Sequence, residues 1–341
     1  MRIPGSRTLT KLTAPLNHRG IVLMYHRVEN LDFDPWQLAV SPAHFEEHLR
    51  ILKKYGKPVK MKTIGKNIKG FAFGKKEIAV TFDDGYADNF TNARPILERY
   101  KIPATFFIVS GAINSQEEYW WDELERIALS AAALPERFDL TIQGKKYNWR
   151  INPMMREPVA FVEQSMRIPA EHTALTRGQL YFALWQIMSG LTHQAKKIAL
   201  QQIVQWAGPS LSPRCSHRVM TSEELSSLAT SSLFEIGGHT VRHPMLSQLS
   251  VVQQEEEIGQ GKADLEKRLG RAVTSFAYPH GDFSTETIQI TKRVGFRAAC
   301  STVQQTVKRN GDPYLLPRFT VLDWDGQTFE QYLQKWLIQK N

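Results

Sequence analysis

Short apolar runs alternate with longer amphipathic stretches along this chain. Gly20-Ile-Val-Leu-Met-Tyr25, Ile78-Ala-Val-Thr-Phe82 and Ala104-Thr-Phe-Phe-Ile-Val109 are continuous runs rich in β-branched and aromatic residues, as strands buried on both faces require. Residues 42–55 (PAHFEEHLRILKKY) repeat apolar positions at helical spacing, with Pro42 near the start. Further helices are predicted over about 89–100, 250–269, 285–294 and 328–339, and strands at Phe234–Gly237 and Ser275–Tyr278. Strands alternating with helices specify a parallel sheet, open or closed into a barrel.

Residues 115–220 break that rhythm. They open on Trp120-Trp121-Asp122, continue into a hairpin predicted from Phe138–Ile142 and Tyr147–Ile151 around Gly144, and then run as helical sequence to Gly208. The expectation is an α/β barrel in two parts, 1–114 and 221–341, interrupted by a mostly helical insertion over 115–220; a separate domain is the alternative.

Composition narrows the class. With 42% hydrophobic and 23% charged residues in 341, the chain fits a globular protein and not a fibrous or disordered one. No apolar run approaches the roughly 18 residues that cross a bilayer. The basic N-terminus lacks the apolar core of a secretory signal, and Cys215 and Cys300 form no CxxC pair. The expected location is therefore the cytoplasm, with contact at the inner membrane as an option. The net charge of +9 is concentrated: Arg50–Lys76 holds ten basic residues and no acidic one. Such a stretch suits an anionic membrane surface or an acidic glycan, and equally a solvated lysine face. No nucleic-acid-binding signature accompanies it, so nucleic acid is not an expected partner.

Four segments place ligand-capable groups at the carboxyl end of an apolar run, where α/β folds build their sites. Asp83-Asp84-Gly85 sets two carboxylates side by side, costly unless a cation or proton neutralises one; alone, such a sequence is more often an ordinary turn. His239 and His243, four residues apart in Gly238-His-Thr-Val-Arg-His-Pro244, can share a metal in a helix-like turn. With the paired aspartates in the same layer they make a facial set of two imidazoles and one carboxylate, the form of catalytic zinc sites. His26 follows the first strand and is a candidate acid or base. Tyr278-Pro-His-Gly281 is a turn able to present a backbone N–H to an oxyanion.

Thr81-Phe-Asp-Asp-Gly85, then His239-Thr-Val-Arg-His-Pro244, then Tyr278-Pro-His-Gly281, in this order, resemble the polysaccharide deacetylases of carbohydrate esterase family 4, the NodB-homology domains. The resemblance covers about 20–113 and 221–322. It implies a distorted (β/α) barrel with one divalent metal, usually zinc, that removes acetyl groups from N-acetylated sugars. By position, Asp84, His239 and His243 would hold the metal, Asp83 would be the general base, and the His280 N–H would face the oxyanion. No histidine follows Leu315, where most members carry their catalytic acid. One branch, similar to bacterial poly-N-acetylglucosamine deacetylases, is permuted and takes that histidine from the first strand, which assigns the role to His26. Ala277 stands where the family's arginine is expected, leaving Arg318 as the alternative partner of Asp83. Tyr86, Tyr278, Pro279, Trp120, Trp121 and Arg318 are the residues expected to meet the sugar. The implied substrate is an N-acetylated sugar of a cell-surface polysaccharide, a lipopolysaccharide or a lipid-linked glycan precursor. The alternatives are an inactive glycan-binding barrel and a hydrolase of another linear amide, such as a deformylase.

Overall fold

The computed structural model of the protein describes residues 20–68, 76–152, 174–208 and 212–338. In chain order the strands are β1 (Ile21–Tyr25), the short β2 (Arg27–Val28) and β3 (Ala39–Val40), β4 (Lys57–Val59), β5 (Glu77–Phe82), β6 (Ala104–Ile108), the hairpin β7 (Arg137–Ile142) and β8 (Lys145–Arg150), β9 (Phe234–Gly238), β10 (Ser275–Ala277), β11 (Ala298–Cys300) and β12 (Phe319–Thr320). Every residue of β1, β5, β6 and β9 is buried, which is why these segments read as unbroken apolar runs.

One parallel sheet runs β11-β10-β9-β6-β5-β1-β12, with β4 paired to the start of β5. Lys57–Val59 lie against Glu77–Ala79, and β6 takes over from Val80 onward. The sheet curls into a half-barrel. An isolated bridge between Cys300 in β11 and Leu316, ahead of β12, links its two edges, so closure is irregular.

Strand alternation sorts the side chains. Leu23, Tyr25, Val80 and Phe82 join the core between sheet and outer helices, whereas Val22, Ala79, Phe107, Ala277 and Cys300 form a second cluster on the opposite, inner face. Carried one step further, the inner-face parity delivers His26, Asp83 and His239 to the carboxyl rim.

The outer helices are set by local signals. Ser41 accepts a hydrogen bond from the His44 N–H, with Pro42 opening the helix Pro42–Tyr55. Capping boxes open Ser222–Thr230 and Val251–Leu269, and the latter ends on Gly270 in the left-handed conformation. The segment predicted as one helix over 89–100 is a π-turn, Asn89–Ala93, followed by the helix Arg94–Tyr100.

The 115–220 segment, where described, contains the helix Trp120–Glu125, the β7–β8 hairpin and the helices Arg177–Ser189 and His193–Ala207. Leu124, Ile127, Phe138, Leu180, Leu184 and Ile203 build a core there that is separate from the barrel's. The basic stretch 50–76, described except for 69–75, does more than coat the surface. It supplies β4 and the helix Met61–Asn67, which buries Met61 and Ile64 beneath its lysines.

Candidate active site

The rim of β5 and the loop after β9 build the centre. Asp83 continues β5, its N–H donating to the Tyr25 carbonyl at 3.0 Å. The chain then turns through Asp84 (φ 72°) and Gly85 (φ 79°), which breaks the alternation that would point the two carboxylates apart. Thr240, His243 and His280 also hold positive φ. Four non-glycine residues in the left-handed region around one pocket are the mark of a functional site. The histidine loop is held from behind: Glu257 accepts the Val241 and Arg242 N–H groups at 3.0 and 2.9 Å, and the Thr240 hydroxyl accepts the His243 N–H at 3.0 Å.

Asp84, His239 and His243 are all buried and offer one ligand atom each, within 4.8 Å of one another. Asp84 Oδ1 lies 3.4 Å from His239 Nε2 and 3.3 Å from His243 Nε2, and it has no hydrogen-bond partner. A buried carboxylate oxygen without a donor is costly; a cation between it and the two imidazoles removes that cost. The His239 Nδ1–H donates to the Ala277 carbonyl at 2.7 Å, which leaves the Nε2 lone pair free to ligate. Burial holds His243 well below the ordinary histidine range, with His280 and His239 adding to it, so it is neutral as a ligand must be. The set fits a divalent metal.

Asp83 is used differently. Both of its oxygens receive Arg318, Nη1 to Oδ1 and Nη2 to Oδ2, each at 2.7 Å. Arg318 is fully buried and also donates to the Ser301 carbonyl at 3.0 Å. Burial pushes the Asp83 carboxyl up, but Arg318, His239 and His26 outweigh it and hold it at about 2 against an ordinary 3.8. A group lowered in this way contributes about 2 kcal/mol that is present above about pH 4 and lost as the pH falls through 2. Arg318→Met leaves Asp83 buried without its counter-ion and is expected to cost about 3–5 kcal/mol of stability. Urea denaturation at pH 7 reads this, and a midpoint within error of the parent would refute it.

His26 is half-buried just past β1, and its carbonyl accepts from Asn89 Nδ2 at 2.8 Å. Its charge acts on both Asp83 and His243. The late strand β12, which lacks a histidine, pairs with β1 (Leu23 with Phe319, Met24 with Thr320); His26 therefore stands beside the place such a histidine would hold. His280 sits exposed on its turn, its ring 4.3 Å from that of His243. Among the described residues its N–H has no backbone acceptor.

Several residues expected to touch sugar do not reach solvent. Arg318 is spent on Asp83. Tyr86 is fully buried, donates to Asp122 Oδ2 at 2.7 Å and accepts the Trp121 indole N–H at 2.9 Å. Tyr278 is buried against Phe276 and Phe283, its hydroxyl on the Tyr314 carbonyl, and Pro279 is buried beside it. Trp121 is almost buried, 5.1 Å from the His243 ring and stacked on Tyr119 at 4.4 Å. These residues brace the pocket because aromatic hydroxyls and indoles settle where they find both packing and a partner. Only Trp120 is half-exposed. The sequence reading missed Glu257, a buried acid on an otherwise polar helix, and Tyr119, whose hydroxyl donates to the Asp84 carbonyl at 2.6 Å.

A distorted parallel (β/α) barrel with an Asp–His–His pocket able to hold a divalent metal at the carboxyl ends of its strands defines the class. The sequence model of the polysaccharide deacetylase family matches residues 70–133 and 202–299, and the chain belongs to that family. A poly-β-1,6-N-acetyl-D-glucosamine N-deacetylase of Staphylococcus aureus (strain MSSA476) is 29% identical over 120 residues, which is 31% of this chain and 41% of the relative. The chain thus spans about two fifths of the length of the curated relatives it matches. Solved structures share the fold: IcaB from Ammonifex degensii at TM-score 0.58 and 19% identity, covering 94% of this chain and 98% of that one. The Streptococcus pyogenes deacetylase PplD, solved with acetate, gives TM-score 0.57 and 18% identity over 93% and 98%.

Proposed function

We propose that this protein is a zinc-dependent hydrolase that removes N-acetyl groups from a sugar of a cell-surface or lipid-linked glycan. One observation carries the reading: two adjacent aspartates are put to opposite uses. Asp84 faces two imidazoles with an unpaired oxygen, and Asp83 is kept ionised by a buried arginine. A divalent cation at Asp84, His239 and His243 supplies Lewis-acid polarisation of the amide carbonyl and raises the acidity of water. Asp83 accepts the proton of the attacking water. Its oxygens each keep a lone pair beside the Arg318 bonds, and so weak a base suffices only for water already made acidic. The His280 N–H donates to the oxyanion as it develops. His26, protonated, gives its proton to the leaving nitrogen, so acetate and a free amine separate. His26 on the first strand supports the permuted branch.

The test is acetate release from a β-1,6-linked N-acetylglucosamine oligosaccharide by the zinc-loaded chain, with chelation as the control. Release that stops on chelation supports the reading. Formate release from a formamido sugar, without acetate release, favours another linear amide; glycan binding with neither release nor bound zinc favours an inactive barrel. His26→Ala is expected to lower release about 100-fold at unchanged metal content; full activity removes His26 from the mechanism.

A further inference from the structure

One buried charge is not used by this chemistry. Lys196 lies in the first turn of the helix His193–Ala207, in the insertion, and is only 9% exposed. Its ammonium stands 4.9 Å from the centre of the Trp120 ring. Trp120 packs at 5.5 Å on Trp121, the neighbour of His243, and at 6.1 Å on Trp185, whose ring is 6.4 Å from that of His280. Trp120 thus joins Lys196 to the rings that flank the candidate metal pocket.

Among the described residues Lys196 has no counter-ion. Burial pushes its ammonium down to about 8, and no neighbouring carboxylate pushes back. Of the glutamates lining the same cleft, Glu118 pairs with Arg214 and Arg126, Glu123 with Arg126 and Glu257 with Arg242, while Glu117 and Glu256 do not act on Lys196. The indole N–H of Trp120 is also buried without an acceptor. Lys196, Trp120 and Arg242 line a cleft of about 610 Å³ between the insertion and the histidine loop. An ammonium nine-tenths buried and unpaired is a standing cost, which a ligand's negative charge offsets. Lysine suits this task because it acts as a point charge with three donors and imposes no fixed fork.

We propose that Lys196 is a specificity-determining residue that pairs with an anionic group, a carboxylate or a phosphate, carried by the glycan next to the acetamide to be cleaved. The proposal rests on the deacetylase reading for its substrate and extends it: the glycan is acidic. A neutral glycan leaves the ammonium uncompensated, whereas an acidic one restores the charge balance of the wall.

Three matched probes test this on the zinc-loaded full chain: a neutral N-acetylglucosamine tetrasaccharide, the same chain bearing one 6-carboxylate, and the same chain bearing one 6-phosphate. Equilibrium binding by calorimetry and kcat/KM for acetate release are both measured. The parent protein is expected to prefer at least one anionic probe about 30-fold, chiefly through KM. In Lys196→Met the preference collapses to within about 3-fold, and Lys196→Arg restores part of it. The probe that keeps the preference identifies the anion. Equal handling of neutral and anionic probes, a preference that survives in Lys196→Met, or no binding of any probe overturns the proposal. Binding with the expected preference but no acetate release overturns the deacetylase reading and leaves Lys196 supported.

Discussion

Asp83→Asn is expected to keep the metal and lose turnover by about 1,000-fold, within the range that general-base removal produces. The substitution preserves size and leaves Asp84, His239 and His243 in place, so metal content by elemental analysis stays near that of the parent. It removes the anion that accepts the water proton. It also presents an amide to the two Arg318 nitrogens that now sit 2.7 Å from carboxylate oxygens, leaving a buried guanidinium without its counter-charge. A stability loss of about 3 kcal/mol or more accompanies it. Turnover is therefore compared well below the melting temperature of the variant. Metal lost together with activity would show that Asp83, not Asp84, is the ligand.

Asp84→Asn gives the opposite result: the metal leaves and the fold stays. Asparagine is the informative replacement because position 84 sits at φ 72°, a conformation that Asn tolerates and that Ala pays roughly 1–2 kcal/mol to adopt. The amide is nearly isosteric but carries no charge to hold a cation. Metal content is expected to fall to about a tenth of the parent or less at equal protein and metal concentration, since the ligand set loses its one anion. Acetate release falls with it, by about 10,000-fold if no metal remains, because both the polarising charge and the acidity of the water go together. The melting temperature of the metal-free variant should match or exceed that of the metal-free parent, as an unpaired buried carboxylate has been removed. A variant that keeps its metal would overturn the ligand assignment.

Much of the barrel was legible because its strands are buried on both faces and so announce themselves as apolar runs. The long helices showed apolar positions at helical spacing, as over 42–55 and 250–269, whereas the short helix Ser222–Thr230 was not predicted. What escaped was short or disguised. β4 and the helix Met61–Asn67 hide three buried apolar side chains, Val59, Met61 and Ile64, among lysines, and β12 is two residues long. The trio Asp84, His239 and His243, which could hold a metal, was visible because spacing and residue type suffice to suggest coordination. Arg318 was named both as a partner of Asp83 and as a sugar contact, and the structure gives it the first place; the fate of Tyr86 and Tyr278 was not legible, because polar residues near a motif look alike whether they face a ligand or each other. Lys196 was invisible for a related reason. Nothing in a helix of mixed lysines and glutamines says which cation is packed under a tryptophan.

The second core, built from residues between 124 and 203, has a consequence for how such a protein diversifies. The wall carrying Trp120 and Trp185 is anchored in its own hydrophobic cluster, while His26, Asp83, Asp84 and His239 lie just past strand ends. Substitutions that reshape the wall need not disturb the reacting groups. On the proposed deacetylase reading, the same reacting groups can therefore be re-addressed to a new polymer by drift in the 115–220 segment alone.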